Sequence, residues 1–326
     1  LFVFDVSNPA SPAQIRQYYL SCAGADIAEG GNILYLTGTG GFWIFDVSDP
    51  SDPDLLSESS PSAYRLALSG QLVYLAKGAG GFVIMDVTQP AQPVVAGECR
   101  MLESPRRVAA AGHYAYVTGW NSVLHTVDIA DPARLTLVGR YTAPEFIAGI
   151  AAVWPYVYIT IGGGTGAGSL RILNVTDPAN RVQVGSTGLV SDGFDIAVAG
   201  SYAYVADRLG GLRVIDISDP GHPRTVGHYT PPDGYSQSVA VAGDYAYLGG
   251  RWNAGLGQHV AHIINVADRT NPTLVGSVVM SSRTGEDLAV SGSILYIALS
   301  GDMQPGVQAI DISNPAAPAY LGVYNW

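Results

Sequence analysis

Lysine is almost missing from this 326-residue chain: Lys77 stands alone beside fifteen arginines. Charged residues make up only 13%, and 27 acids against 16 bases leave a net charge of −11. Such an acidic chain lacks the net basic face that phosphate binding needs, so neither nucleic acid nor an anionic membrane surface is expected as a partner. No run of about 18 apolar residues occurs, so no membrane-spanning helix is expected. No signal-peptide pattern is present either. Because the first residue is Leu1 and it opens in mid-strand, we expect a chain processed or trimmed at its front, its targeting information lost there. Capped helical periods are also lacking, which excludes an architecture of alternating strands and helices. What the chain does have is 40 Gly and 20 Pro, with an aromatic content that is mostly tyrosine. That is a strand-and-turn composition, too apolar for a disordered chain.

The sequence is built from copies of one unit, seen most clearly as GFDIAVAGSYAYVADRLGGLRVIDISDPGHPRTVGHY at residues 193–229. A tyrosine recurs at Tyr35, Tyr74, Tyr116, Tyr158, Tyr204, Tyr247 and Tyr296. Seven residues before each stands an alanine: Ala28, Ala67, Ala109, Ala151, Ala197, Ala240 and Ala289. A carboxylate or amide recurs at Asp5, Asp46, Asp86, Asp128, Asn174, Asp216, Asn265 and Asp311, spaced by 40 to 49 residues. A period of that size, with several short strands in each copy, marks a propeller or a similar array.

Alternation and turn residues predict four strands per copy, called A to D: Asp195 to Ala199, Tyr202 to Ala206, Leu212 to Ile217 and Thr225 to Tyr229. A four-stranded antiparallel meander repeated radially is a β-propeller blade, and the expected fold is all-β. Alanine in strand A suits the crowded inner end of a blade, and tyrosine in strand B fills the widening gap between blades. Residues 1–20 form an extra hairpin of C and D type before seven full copies over residues 21–326. Thirty strands are two too many for seven blades and two too few for eight. We favour seven, since the inner strands of a blade are the worst to omit, with eight as the alternative.

The copies resemble the LVIVD repeat, a propeller-forming family of bacterial and archaeal proteins. The residues that carry the resemblance are GSYAYVADRLGGLRVIDISDP at 200–220, with close versions at 112–132 and 292–315. It implies a propeller over essentially the whole chain and an exported or cell-surface location. It implies no catalytic motif.

Most repeated polar residues have structural explanations. Asn at 174 and 265 replaces the strand-C carboxylate, and Asn has no acid–base chemistry. What Asp and Asn share is an oxygen that accepts backbone N–H groups in the following turn. Cys22 and Cys99 fall in blades that are not neighbours, so no disulfide is expected. His259 and His262 are three apart, which in a strand puts them on opposite faces and argues against a shared metal. The run Gly162 to Gly168 joins two strands and lacks the Gly-Lys-Ser/Thr of a phosphate loop. No cofactor is expected.

The copies differ where the B–C and D–A loops emerge, on one face of the ring. The residue opening strand A runs Asp26, Arg65, Arg107, Gly149, Asp195, Ser238, Asp287 around the ring, with Arg106 and Glu286 beside two of them. This sets positive charge on blades 2 and 3 against acids on blades 5, 7 and 1. Tyr64, Trp120, Phe146, Phe194, Tyr235 and Trp252 fall in the same loops, with Arg251 next to the last. A polar channel mouth ringed by aromatics is a usual place for a propeller ligand. The competing account is that the charges are solvated or neutralise one another. The first expectation is therefore a non-catalytic binding or assembly module, contacting protein, glycan or neighbouring subunits through the loop face or the N-terminal hairpin. The alternative is a hydrolase or lyase acting on a polar polymer, with Asp195, Asp287 and Glu286 as acid–base groups and Arg65 and Arg107 orienting an anionic substrate. A third alternative is a structural metal held by Asp26, Asp195 and Asp287.

Overall fold

A computed structural model describes residues 2–5, 13–17, 24–38, 40–48, 53–100, 104–119, 121–162, 167–231, 235–251, 259–280, 284–300 and 306–325. Strands dominate them, with three single-turn 3-10 segments at Gly78–Gly80, Pro132–Arg134 and Arg208–Gly210. In blade 5 the strands are Gly193–Ala199, Tyr202–Asp207, Gly211–Asp216 and Arg224–Tyr229, within two residues of expectation. Each pairs antiparallel with the next. Six further meanders of four strands begin at Gly24, Arg65, Pro105, Ile147, Tyr235 and Thr284. Blades 6 and 7 are further joined where Arg251 pairs with Thr284 at the loop-face end.

Seven blades close the ring. Strand A of blade 7 (Thr284–Ser291) lies against strand A of blade 1 (Gly24–Gly30). Their sheets share a core in which Ile27, Leu36, Trp43 and Phe45 meet Tyr296, Ala298 and Ala309. The eight-bladed alternative is excluded by this contact. The hairpin of Phe2–Asp5 and Ala13–Gln17 is a separate two-stranded sheet, its first strand running close to the outermost strand of blade 7 (Ala319–Asn325).

The burial pattern follows from stacking sheets around an axis. Strand B of blade 5 is buried along nearly its whole length, while strand D alternates and strand A is half-covered. The middle strands lie between two neighbours, so both their faces must be apolar. Tyr204 is fully buried in the seam between blades 5 and 6, among Leu212, Val214, Val239 and Leu248, with Ala197 packed alongside. Each fully buried Leu, Ile or Val there stabilises the fold by about 1.5–3 kcal/mol.

Two polar devices repeat with the blades. The strand-C carboxylate or amide accepts the backbone N–H two residues on: Ser48 to Asp46, Thr176 to Asn174, Ser218 to Asp216 and Ala267 to Asn265, at 2.8–3.0 Å. Asp and Asn do this equally, which is the expected reason for their exchange. The second device joins blades. Strand D bulges, and a glycine at the bulge receives a carbonyl from the C–D turn of the next blade. A Cβ on Gly185 would lie 2.1 Å from the carbonyl oxygen of Pro220, and one on Gly227 would lie 2.2 Å from that of Arg269. Gly97, Gly139 and Gly276 meet Pro132, Pro178 and Pro315 in the same way. All five stand eleven residues after the strand-C Asp or Asn. Blade 1 has Ser57 at this position, and the N-terminal hairpin has Arg16.

Candidate functional site

Strand A pairs with strand B along one edge only, and its other edge lines the central channel. Its outward N–H groups therefore need acceptors. Asp26 supplies one across the blade 1–2 boundary, accepting the N–H of Leu66. Asp195 does the same across the blade 5–6 boundary, accepting the N–H of Val239 at 3.0 Å. These two carboxylates staple neighbouring inner strands together, a role in addition to their charge.

Five of the residues picked out at the channel mouth converge on one cavity of about 120 Å³. Asp26, Arg65, Arg107, Asp195 and Asp287 line it, with Leu66, Val108 and Ile150 as apolar backing. Opposite charges were expected to face each other across the ring, and one pair does. Arg107 reaches from blade 3 past blade 4, its Nη1 3.7 Å from Asp195 Oδ1 and its Nη2 donating to the Phe194 carbonyl at 2.9 Å. Gly149 of blade 4 lets the inner strands of blades 4 and 5 approach closely, since a Cβ there would lie 3.1 Å from Asp195 Cα and 2.6 Å from Thr160 Oγ1. Arg65 of blade 2 meets the acid of blade 1: it pairs with its neighbour Asp26, Nε to Oδ1 3.8 Å, because the inner strands of adjacent blades are closest at the axis.

The electrostatics of this cavity depart from those of surface groups. Burial raises the Asp195 carboxyl to about 6, against the opposing pull of Arg107 and with Asp287 adding to the rise. Asp287 is held well above the usual carboxylate range, first by burial and then by Asp26, with which its side chain hydrogen bonds. That arrangement favours the protonated form of Asp287, as like charges at contact repel. Burial lowers the proton affinity of Arg107, as does the nearby Arg65, while Asp195, Asp26 and Asp287 act against this. A guanidinium keeps its charge regardless. Among the described residues no group of three potential ligands is placed to hold a metal, so Asp26, Asp195 and Asp287 do not form a metal centre here.

Around the cavity stand arginine–aromatic contacts. The Arg106 guanidinium lies 4.8 Å from the ring centre of Tyr64. Arg208 lies 5.1 Å from Tyr235 and 5.8 Å from Phe194, and its Nη1 bonds Asp192 at 2.8 Å. Tyr64 and Tyr235 are 42% and 39% exposed. Phe146 is half-buried, and its carbonyl accepts the N–H of Gly162. Trp120 and Trp252 lie outside the described residues, as do the side chains of Arg251 and Glu286.

Arg208, Asp192 and Asp207 were not anticipated. Asp207 is completely buried, accepting from Val190 and Ser191 N–H groups and from Arg213 Nε, and so anchors the loop that carries Asp192. Arg208 has φ of 22°, on the edge of the left-handed region, where blade 2 has Gly78 at φ 60°. A bulky residue at a position held by glycine in a sister copy is the signal: RLGG at 208–211 against GAGG at 78–81.

Several solved structures share the fold. The β-propeller domain of Cps50 (Swd1) from Myceliophteria thermophila aligns with TM-score 0.68 at 14% identity, covering 86% of this chain and 94% of its own. A hypothetical selenium-binding protein from Sulfolobus tokodaii aligns at TM-score 0.67 and 12% identity, over 85% and 87% of the two chains. Sqt1 from Saccharomyces cerevisiae gives TM-score 0.67 at 9% identity, over 95% and 87%. These likenesses bear on fold alone. A comparison with curated proteins finds no match. The LVIVD repeat, in contrast, matches residues 1–19, 24–59, 61–101, 104–143, 192–231, 233–279 and 282–325. That covers the N-terminal hairpin and every blade except blade 4. With the same turn carboxylate, inter-blade tyrosine and carbonyl-seating glycine recurring around the ring, the chain belongs to the LVIVD repeat family.

Proposed function

We propose that this propeller is a non-catalytic binding module whose contact surface is the loop face around the channel mouth. The observation that carries the reading is the convergence on one cavity of residues that the repeat does not dictate: Asp26, Arg65, Arg107, Asp195 and Asp287. The exposed tyrosines Tyr64 and Tyr235, each beside an arginine, extend that surface outward. Aromatic and arginine side chains are the residues that anchor protein partners, and aromatic faces also stack on sugar rings. The partner class is a protein or glycan, or a neighbouring subunit, at an extracellular or cell surface. The N-terminal hairpin is a second place where a neighbouring subunit can pair.

The test is capture of glycan and protein fractions on immobilised chain, wild type against a Tyr64→Ala, Tyr235→Ala double variant. The expected result is a ligand lost in the double variant at unchanged melting temperature. A ligand held equally by both, or none held by the wild type, refutes the reading.

A second reading has one observation in its favour. Asp287 is pushed toward its protonated form beside the Asp26 carboxyl, and such a pair of carboxyls can serve hydrolysis of a polar polymer. Under that reading Asp287→Asn abolishes turnover of a polysaccharide substrate, and unchanged turnover removes it.

A further inference from the structure

The cavity at the channel mouth has a charge pattern that defines a ligand. Its two guanidiniums, Arg65 and Arg107, are close enough to repel one another. Its carboxyls Asp195 and Asp287 repel one another likewise. Each arginine has a carboxylate beside it, and at 3.7 Å the Arg107–Asp195 pair is an open one. Elsewhere on the same face Arg208–Asp192 and Arg213–Asp207 close to 2.8 and 3.1 Å. Direct charge-assisted contacts run about 2.7–2.9 Å. Two guanidiniums and three carboxyls thus line one small space, with groups of both signs turned toward it. A simple anion or a simple cation would answer only one of the two signs in a partly desolvated site.

We infer that the cavity binds a small zwitterion, an α-amino acid with a short side chain, and this rests on the reading of the channel mouth as a recognition site. The carboxylate lies between Arg65 and Arg107 and separates them. The ammonium lies between Asp195 and Asp287 and does the same for the acids. Leu66, Val108 and Ile150 back the carbon skeleton. A volume of about 120 Å³ admits a ligand of a few heavy atoms and excludes a long side chain.

The probes are L-alanine, acetate, methylamine and L-phenylalanine, titrated separately into wild-type protein by calorimetry at pH 7. Alanine should bind at least about tenfold more tightly than acetate or methylamine, since each end of the zwitterion adds a charged hydrogen bond. Phenylalanine should bind at least about tenfold more weakly than alanine, for want of room. Arg107→Gln and Asp195→Asn, checked for an intact melt, should each lower alanine affinity about tenfold or more. The inference is overturned by acetate or methylamine matching alanine, or by no alanine binding at 10 mM, on the order of a thousandfold above tight sites. If either variant does not fold, the four wild-type titrations decide alone. Alanine failing while the tyrosine-dependent capture persists defeats only this inference; alanine binding without any captured partner defeats the broader reading.

Discussion

Arg107 and Asp195 belong to blades 3 and 5, yet they meet over blade 4, the guanidinium 3.7 Å from the carboxylate and bonded to the adjacent Phe194 carbonyl. Blade 4 has Gly149, without a side chain, at the position where its neighbours carry charge, and Asp195 also accepts the N–H of Val239 from blade 6. The contact ties inner strands that are not sequence neighbours, so it stiffens the channel mouth as well as charging it.

The glycine beneath that contact is therefore sensitive to volume. Gly149→Val forces branched carbons against Thr160 Oγ1 and the Asp195 backbone. Overpacking of this kind costs about 1–3 kcal/mol. Thermal denaturation should show the loss, and a melt within a degree of wild type would contradict the close approach.

The carbonyl-seating glycines give a paired test within one structural class. Gly227→Ala places a methyl group 2.2 Å from the Arg269 carbonyl oxygen, so blades 5 and 6 must move apart, at about 1–3 kcal/mol. Gly188, in strand D of blade 4, has nothing within 4 Å of its Cβ position, so Gly188→Ala should be neutral or stabilising by up to about 1 kcal/mol. Equal effects in denaturant melts would refute the account.

Asp195 gives a pH signature of definite sign. Its folded-state value near 6 lies above the ordinary value of 3.8, so the folded chain holds a proton there that the unfolded chain releases. That contribution is complete below pH 3.8 and is lost as pH rises through about 6. The turn carboxylates Asp46, Asp86 and Asp216 are shifted the other way, chiefly by side-chain hydrogen bonds from Ser48, Thr88 and Ser218, and they lose stability as pH falls. The difference between wild type and Asp195→Asn isolates the first effect: relative to the variant, wild type should weaken between pH 4 and 7. A difference that is flat over this range would show that the group is not shifted.

At the turn carboxylate, charge should matter less than the acceptor oxygen. Asp216→Asn should leave the melting temperature near wild type, because Asn174 and Asn265 do the same work in blades 4 and 6. Asp216→Ala should lower it by several degrees, as the Ser218 N–H and hydroxyl and Arg224 lose their acceptor. Equal losses in the two variants would assign the effect to charge.

The ring was legible in the sequence because its elements are local. Ala197, Tyr204 and Asp216 each do their work within one blade or against the next, so recurrence exposes them. The cavity was legible by subtraction, since Asp26, Arg65, Arg107, Asp195 and Asp287 break the pattern at one position. Pairings were not. Arg65 faces Asp26 and Arg107 faces Asp195 because of distances that exist only after closure, and nothing in the spacing distinguishes a neighbour from a partner two blades away. The glycine eleven residues past the strand-C Asp or Asn of blades 2 to 6 was visible as a repeat, but its function depends on a carbonyl from a different blade.

The junction of blades 7 and 1 has a particular mechanical character. Each of those blades is made of four consecutive strands, so among the described residues no strand is shared across the joint, and the side chains of one core fasten it. One of those fastenings is the hydrogen bond between Asp287 and Asp26, beside Arg65 and within the field of Asp195 and Arg107. Removing its proton replaces an attraction with a repulsion at one of the contacts that close the ring. Amide exchange at Ile27 and Leu288 should then quicken before that at Ile159 or Val205, and the torus would open along a line set by a single hydrogen.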